Sequence, residues 1–516
     1  MYCGFVTTLN NLRPHPNADR LMLAECLGNT VCVTKDMYKD NQIVVYFPVD
    51  GQLSLAFCEA NNLIEKKDEN GKNIGGYLNP KKRNIKAIRL RGEKSDGLAL
   101  DLKCLEFTGA DLSQIKVGDT VDIVNGVEIC RKYIPHQEER VSAGGAGTRA
   151  RRRAQRSIAP IFYQHSDTEQ LAYNLDAFKP GDYITITRKL HGTSQRTAHT
   201  LVLKGYKHRH PFFNQIIKYL DGKKEIGKFA QELLDRAMAH AEPVYDWDYV
   251  SGTRRALISD GKCGYYEDDF RKSFHDYFVG KLKKGEAVYY EIVGFLNSGI
   301  PIMPSANNKV LKDKEFVKKY GDTTVFSYGC SPTGYEEHIV KKEKIITEKV
   351  SPGKLKASST LVDVPILKLV PKARIYVYRM TMTNPDGFVV EYPPHLVQKR
   401  CEEMNIPMVP LEWEGVIPEN LPTTGFTYNE AGYKIFDVKE TAGEWVKEKA
   451  EEFYDGPEPL DRRHIREGIV VRIVNRTNFT AYKHKNFDFK CISGIAMEQF
   501  EESNIEIADK DLLSEM

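Results

Sequence analysis

The chain has 516 residues, 41% hydrophobic and 28% charged, and 74 lysines and arginines against 71 aspartates and glutamates leave a net charge of only +3. That length suits about two to four domains of ordinary size. The near-neutral balance excludes a globally basic nucleic-acid binder, so any nucleic-acid surface has to come from local clustering of positive side chains.

Residues 1–130 read as mostly β. Short runs with β-branched content recur at 31–33, 43–47, 85–90 and 120–123, and in Lys116-Val117-Gly118-Asp119 the Gly-Asp pair marks a bend before the last of them. Several short strands at this spacing predict a small barrel. The run His15-Pro16-Asn17-Ala18-Asp19-Arg20-Leu21 resembles the opening of the OB-like tRNA-binding domains attached to some aminoacyl-tRNA synthetases. Ile88-Arg89-Leu90-Arg91-Gly92-Glu93-Lys94-Ser95-Asp96-Gly97-Leu98 resembles the later strand-turn-strand of the same domains. The resemblance implies an OB-like nucleic-acid-binding domain with a basic groove for single strands. Arg89 and Arg91 are then either RNA contacts or solvated strand residues.

Residues 131–158 have the composition of a flexible basic linker. Ser142-Ala143-Gly144-Gly145-Ala146-Gly147 is loose by composition, and Arg149, Arg151, Arg152, Arg153 and Arg156 follow it. The arginine run suits the tracking of phosphates and equally a solvated connector, with a localisation signal as a third reading.

From 159 to 492 the pattern is mixed α and β. Strand-like runs at 183–187, 287–293, 374–378, 468–473 and 479–484 alternate with helical stretches over 225–240 and 442–454. Two segments read as insertions, near 205–245 and 296–372, and the second is lysine-rich without strong periodicity. The tail, 493–516, is acidic and reads as a helix and a loose end. The ten cysteines are scattered, with no CxxC pair and no Cys/His set at zinc-finger spacing, which fits free thiols in a reducing compartment. The start, Met1-Tyr2-Cys3-Gly4, has no basic region before an apolar core, and no apolar stretch approaches bilayer length. The expectation is a cytoplasmic or nuclear protein with no membrane partner.

The chemistry starts from Lys189-Leu190-His191-Gly192-Thr193-Ser194, which follows the strand-like run ending at Arg188. Gly192 permits a tight turn, Thr193 and Ser194 supply hydroxyls, and the arrangement puts an amine at the lip of a sheet. An amine attacks phosphorus only when unprotonated, and a free lysine has a pKa of about 10.4, so desolvation or nearby cations must lower it. Alone, the hexapeptide says little, because a lysine before a glycine turn is common on surfaces.

Further runs add to it. Tyr289-Tyr290-Glu291-Ile292-Val293-Gly294 isolates a carboxylate in an apolar strand. Arg374-Ile375-Tyr376-Val377-Tyr378-Arg379 is aromatic-rich. Arg466-Glu467-Gly468-Ile469-Val470-Val471-Arg472 isolates a second glutamate, and Ala481-Tyr482-Lys483-His484-Lys485 places two lysines on one strand face by period two. In this order, over roughly 160–490, the runs resemble the covalent nucleotidyltransferase superfamily of RNA ligases, DNA ligases and mRNA capping enzymes. An OB-like domain in front of the transferase resembles a group of RNA-repair ligases, whereas capping enzymes and DNA ligases usually carry theirs behind it. The fold class implied is multidomain: a β-barrel (OB-like) N-terminal domain followed by an α+β nucleotidyltransferase domain, the adenylation domain of ligases.

The resemblance also implies roles. Lys189 would form a lysyl-AMP phosphoramidate from ATP. Glu291 would hydrogen-bond the ribose, Tyr378 would stack on adenine, and Lys483 and Lys485 would contact the α-phosphate. Glu467, with Glu291, would hold magnesium or manganese through water. His191 and Gly192 would border the nucleotide. Ser251-Gly252-Thr253-Arg254-Arg255 would bring Arg254, or else Arg255, to the nucleotide or a 5′-phosphate. Many superfamily members carry aspartate two residues after the lysine, where this chain has His191, which either donates to a ribose oxygen or braces the turn. The bland alternatives are ion pairing for Glu291, core packing for Tyr378, a strand start for Glu467, and a solvated strand face for Lys483 and Lys485. The function implied is an ATP-dependent RNA ligase acting on broken or nicked RNA. A DNA ligase, a guanylyltransferase and a non-catalytic RNA-binding protein are its rivals.

Overall fold

The computed structural model describes residues 2–493 apart from 68, 70–72, 134–157, 166–167, 222, 224–226, 255–256, 259–269, 352–353, 422, 429–433 and 440. The basic run 149–156, Arg255 and the acidic stretch 497–516 lie outside the described residues.

The N-terminal sheet is built on β1 (Gly4–Pro14), β2 (Leu21–Cys26), β3 (Asn29–Thr34) and β4 (Gln42–Phe47). Val44, Val45, Tyr46 and Phe47 are all buried, because β4 has apolar clusters on both of its faces. The first half of β1 pairs with β4 and the second half with β2, across a register shift between Asn10 and Arg13. A strand that changes partners at a bulge bends, and the sheet curls into a half-barrel. The hairpin of β5 (Ala87–Leu90) and β6 (Glu93–Asp96) turns through Arg91 and Gly92, both at positive φ, and β7 (Leu98–Asp101) then pairs with β4. The run at 120–123 is not one strand. Thr120–Val121 pairs with β1 and Ile123–Val124 leaves for a separate hairpin, since the Asp122 carbonyl between them accepts from the N–H groups of Ile129 and Cys130.

The larger part is built on a five-stranded and a six-stranded sheet. In the first, the order is Glu169–Gln170, β18 (Thr480–Lys485), β17 (Gly468–Ile473), β8 (Tyr183–Lys189) and β16 (Leu411–Val416). In the second it is Leu257–Ile258, β10 (Glu242–Gly252), β9 (Thr193–Lys207), β11 (Glu286–Gly294), β14 (Ala373–Thr383) and β15 (Val389–Glu391). Lys189 ends β8 in one sheet, and four residues later Thr193 starts β9 in the other. Helix α3 (Ala442–Glu451) packs Ala442, Val446 and Ala450 against Ile184, Ile186, Ile469 and Val471, which closes the far face of the first sheet. The period-two side-chain direction of β8 then leaves Thr185, Thr187 and Lys189 on the opposite face.

Both insertions have regular structure. The first extends the β9–β10 ladder as far as Lys207↔Glu242 and carries α1 (Pro211–Leu220) and α2 (Lys228–Met238). The second, read from sequence as aperiodic, contains a long hairpin of β12 (Tyr335–Ser351) and β13 (Lys354–Leu369). Among the described side chains, Ile339, Ile345, Leu361, Leu367 and Leu369 are exposed on one face of it and Ile366 on the other, so no buried face there imposes an alternation on the sequence.

The N-terminal hairpin docks on the segment that follows β18. Arg89 Nη2 lies 2.7 Å from Asp488 Oδ1, Lys490 pairs with Asp96, and Ala87 packs with Phe487 and Cys491. Arg89, read from sequence as either an RNA contact or a solvated strand residue, is engaged in an ion pair. Its guanidinium is held by Asp488 and by the Gly92 carbonyl, where the hairpin packs against the segment after β18.

Candidate active site

Register builds the site. Across β8, β17 and β18, three rows of residues share a face: Lys189–Gly468–Lys485, Thr187–Val470–Lys483 and Thr185–Arg472–Ala481. Directly paired residues have Cβ atoms roughly 5 Å apart, so the first row brings Lys189 and Lys485 to either side of a residue that has no side chain. Gly468 has φ +145°, and a Cβ on it would lie 2.1 Å from the His484 carbonyl oxygen. Only glycine fits, and its neighbour Glu467 then enters between the two lysines.

Glu467 is buried, with Oε1 2.8 Å from Lys189 Nζ and 3.8 Å from Lys485 Nζ. Its other oxygen, Oε2, accepts no hydrogen bond from the described residues, and His191 Nδ1 is 3.9 Å away. Burial pushes the Glu467 carboxyl up, but Lys189, His191 and Lys485 outweigh it and hold the group below its ordinary range. Glu291 behaves in the opposite way. Burial, with Glu467 adding to it against Lys189 and Arg254, raises it to about 7, and it accepts a 3.2 Å hydrogen bond from Ser194 Oγ.

Gly192 has a different use from the one expected. Its φ is not positive. A Cβ there would sit 2.2 Å from the Ile292 carbonyl oxygen, so the glycine serves the close approach of the crossing segment to β11. His191 braces this crossing. Its N–H donates to the Tyr328 hydroxyl at 2.7 Å, and its ring stands edge-on to Phe326 and Phe489 at 4.7 and 4.8 Å. Burial, helped by Lys189 and Lys485 and opposed by Glu467, lowers His191 to about 4, so it is neutral at pH 7. The Thr193 hydroxyl accepts from Arg271 Nη2 at 2.6 Å, and that buried guanidinium also donates to the Ser194 carbonyl.

A cavity opens over the three rows. Its lining includes Lys189, Ser194, Arg254, Glu291 and Tyr378 from the sequence reading, with apolar walls from Leu190, Met408, Val409 and Val470. Tyr378 falls at the register shift of the β11–β14 ladder, between Tyr289↔Arg379 and Tyr290↔Val377, a bulge that re-aims its ring. Arg254 is placed by its carbonyl, which accepts from Arg196 Nη1 at 2.7 Å. Lys483 stands directly opposite Val470 in the second row. Of the expected set, Lys189, Arg254, Glu291 and Tyr378 line the cavity. Glu467 reaches it through its contact with Lys189, and Lys485 through its contact with Glu467. His191, Gly192 and Lys483 are not among its lining residues, and Arg255 lies outside the described residues.

The lining also holds residues that sequence reasoning passed over: His165, Thr185, Thr187, Arg472 and Phe479. The two threonines were available from the alternation that ends at Lys189. Arg472 stands two residues after Val470 and so shares its face. His165 belongs to no run with a spacing signal.

Among the described residues no group of three or more His, Cys, Asp or Glu is placed to hold a metal ion directly. The donors that fit a divalent cation are the unengaged Glu467 Oε2 and the nearby Glu291. Two carboxylates at most imply a coordination shell completed by water and ligand oxygens.

No protein-family model matches the chain, and no curated protein matches it. Among solved structures it is similar to a Naegleria gruberi RNA ligase variant with ATP and Mn, at 13% identity and a TM-score of 0.47, over 94% of this chain and 98% of that one. A Naegleria gruberi RNA ligase variant with AMP and Mn matches at 13% identity and a TM-score of 0.47, over 94% and 97%. Another with AMP and Mn matches at 14% identity and a TM-score of 0.46, over 97% and 99%.

Proposed function

We propose that this chain is an ATP-dependent RNA ligase that joins a 3′-hydroxyl to a 5′-phosphate through a lysyl-AMP intermediate. The observation that carries the reading is the Lys189–Glu467–Lys485 group at one end of a cavity walled by Glu291 and Tyr378. Lys189 Nζ attacks the α-phosphorus and pyrophosphate leaves. AMP then passes to the 5′-phosphate of an RNA end, and attack by the 3′-hydroxyl of the other end releases AMP.

The attacking amine must be neutral, and Glu467 Oε1, 2.8 Å away, is placed to take its proton. Lys485 lies beside the same carboxylate and, with Lys483 in the next row, offsets charge gathering on the α-phosphate. Glu291 meets the ribose and Tyr378 the base, and Arg254 contacts the nucleotide or the 5′-phosphate. A divalent cation held by Glu467 Oε2 and Glu291 through water would add positive charge that favours the neutral amine and the crowded phosphorus. Catalysis of this kind is mostly positioning and charge stabilisation, which is what a rigid three-row sheet face provides.

The N-terminal half-barrel, read as an OB-like module ahead of the transferase, supports RNA as the polymer and repair of broken RNA as the setting. The test is incubation with ATP labelled at the α-phosphate and magnesium or manganese, followed by denaturation. Label should stay on the protein and be lost in Lys189→Ala. Label on Lys189→Ala, or none on either protein, rejects the reading; preference for labelled GTP points to a guanylyltransferase. Sealing of nicked RNA over nicked DNA separates an RNA ligase from a DNA ligase.

A further inference from the structure

The end of the cavity away from Lys189 is built around a histidine whose tautomer is fixed by its surroundings. Thr185 lies four residues before Lys189 on β8, so the Thr185–Arg472–Ala481 row is about 13 Å from the Lys189 row. Phe479 and Arg472 sit at that end, with the Arg472 guanidinium 5.0 Å from the Phe479 ring. His165 joins them. It is buried, and its ring centroid is 5.2 Å from that of Tyr378, 5.4 Å from Tyr289 and 5.7 Å from Phe479.

Arg379 Nη1 lies 2.9 Å from His165 Nδ1. A guanidinium has donors and no acceptor, so Nδ1 must be the accepting, unprotonated nitrogen. Arg379 has little freedom to move. Its Nε contacts both oxygens of Glu391 at 3.0 and 3.1 Å, and its guanidinium lies between the rings of Tyr289 and Phe479 at 4.6 and 4.7 Å. A proton on Nδ1 would point at this immobile cation. Burial, and then the charges of Arg379, Arg254 and Arg196, keep the imidazole neutral far below its ordinary pKa. The one ring proton therefore sits on Nε2, and His165 lines the cavity beside Tyr378.

We infer that His165 is the base-recognition residue of the nucleotide site, its Nε2–H donating to an acceptor nitrogen of the purine ring that stacks on Tyr378. The inference rests on the reading of this cavity as a nucleotide site. Its consequence is positional. A fixed donor at one end of the cavity sets how far the nucleotide enters, and so whether its α-phosphate meets Lys189 at the other end.

The experiment measures covalent labelling of the wild type with ATP and with its 1-deaza, 3-deaza and 7-deaza analogues, each lacking one ring nitrogen. The series is repeated in His165→Phe, which keeps an aromatic ring in place, and in His165→Gln, which keeps a donor. In the wild type one analogue should lose about tenfold or more in kcat/KM relative to ATP, the cost of one unmade hydrogen bond to a buried donor. That penalty should vanish in His165→Phe, which should itself lose a similar factor with ATP, mainly in KM. His165→Gln should recover part of it. Equal use of all four nucleotides by the wild type overturns the inference, and so does an unchanged analogue penalty in His165→Phe. The wild-type series can overturn the inference by itself where His165→Phe fails to fold, and His165→Gln then supplies the comparison that assigns the penalty to His165. Absence of label from the wild type with ATP itself would instead sink the nucleotide-site reading, so the two failures are distinct.

Discussion

Glu467 divides its carboxylate: Oε1 lies 2.8 Å from Lys189 Nζ, while Oε2, equally buried, accepts no hydrogen bond from the described residues. A buried oxygen without a partner is costly, and its position beside two lysines points to a ligand or ion as the missing partner. Replacing Glu467 by Gln keeps the shape, removes the charge and leaves Lys189 without its anionic partner. Lysyl-nucleotide formation should fall by at least ~100-fold while circular dichroism stays that of the wild type. Retention of more than a tenth of the labelling rate would make the pair a structural one.

Gly468 is the physical condition for that pair. Gly468→Ala forces a Cβ to within 2.1 Å of the His484 carbonyl at a φ of +145°. The expected cost is about 2–4 kcal/mol, from strain and displaced backbone together. Urea unfolding measures it directly, and an unchanged midpoint would contradict the close approach.

Arg89 offers a test of what the N-terminal hairpin does. Its ion pair with Asp488 is about a fifth exposed on each side, so after solvent screening a coupling of about 0.5–1 kcal/mol is expected in a double-mutant cycle with Asp488→Ala. RNA affinity and its salt slope should be unaffected by Arg89→Ala. A drop in the slope of about one unit would instead return Arg89 to the nucleic-acid surface.

His484 predicts a pH dependence of stability. Burial, then Lys490 and Lys447, lower its pKa to about 3, against about 6.5 in the unfolded chain. Between these values the unfolded state binds a proton that the native state does not, so this contribution is complete above pH 6.5 and is lost as pH falls. At pH 5 the loss is about 2 kcal/mol. His484→Gln should flatten the unfolding free energy against pH by nearly one proton between pH 6 and 4. Parallel curves for the two proteins would refute the shift.

Much of the first sheet was legible in the sequence. The run 468–473 is the strand with those bounds, because a glycine start and an apolar run between turns leave no competing element. The hairpin of β12 and β13 was not legible, since a ribbon exposed on both faces has no buried side to write a period into its sequence. Bracing the turn was one of two sequence readings of His191, but the partners of that brace were hidden. Tyr328 and Phe326 come from a segment that composition marks only as an insertion.

What the sequence determined by itself is local. Alternation along β8 puts Thr185, Thr187 and Lys189 on one face, and Ala481, Lys483 and Lys485 share a face of β18, because the side-chain period of a strand depends only on the backbone. Tertiary structure decided the rest of the chemistry. It chose which carboxylate meets Lys189, which oxygen of Glu467 stays unengaged, and which nitrogen of His165 carries the proton, the last through Arg379, 214 residues away. Those choices follow from burial and from the pairing of charges in a desolvated site, and segments remote in the chain supply both.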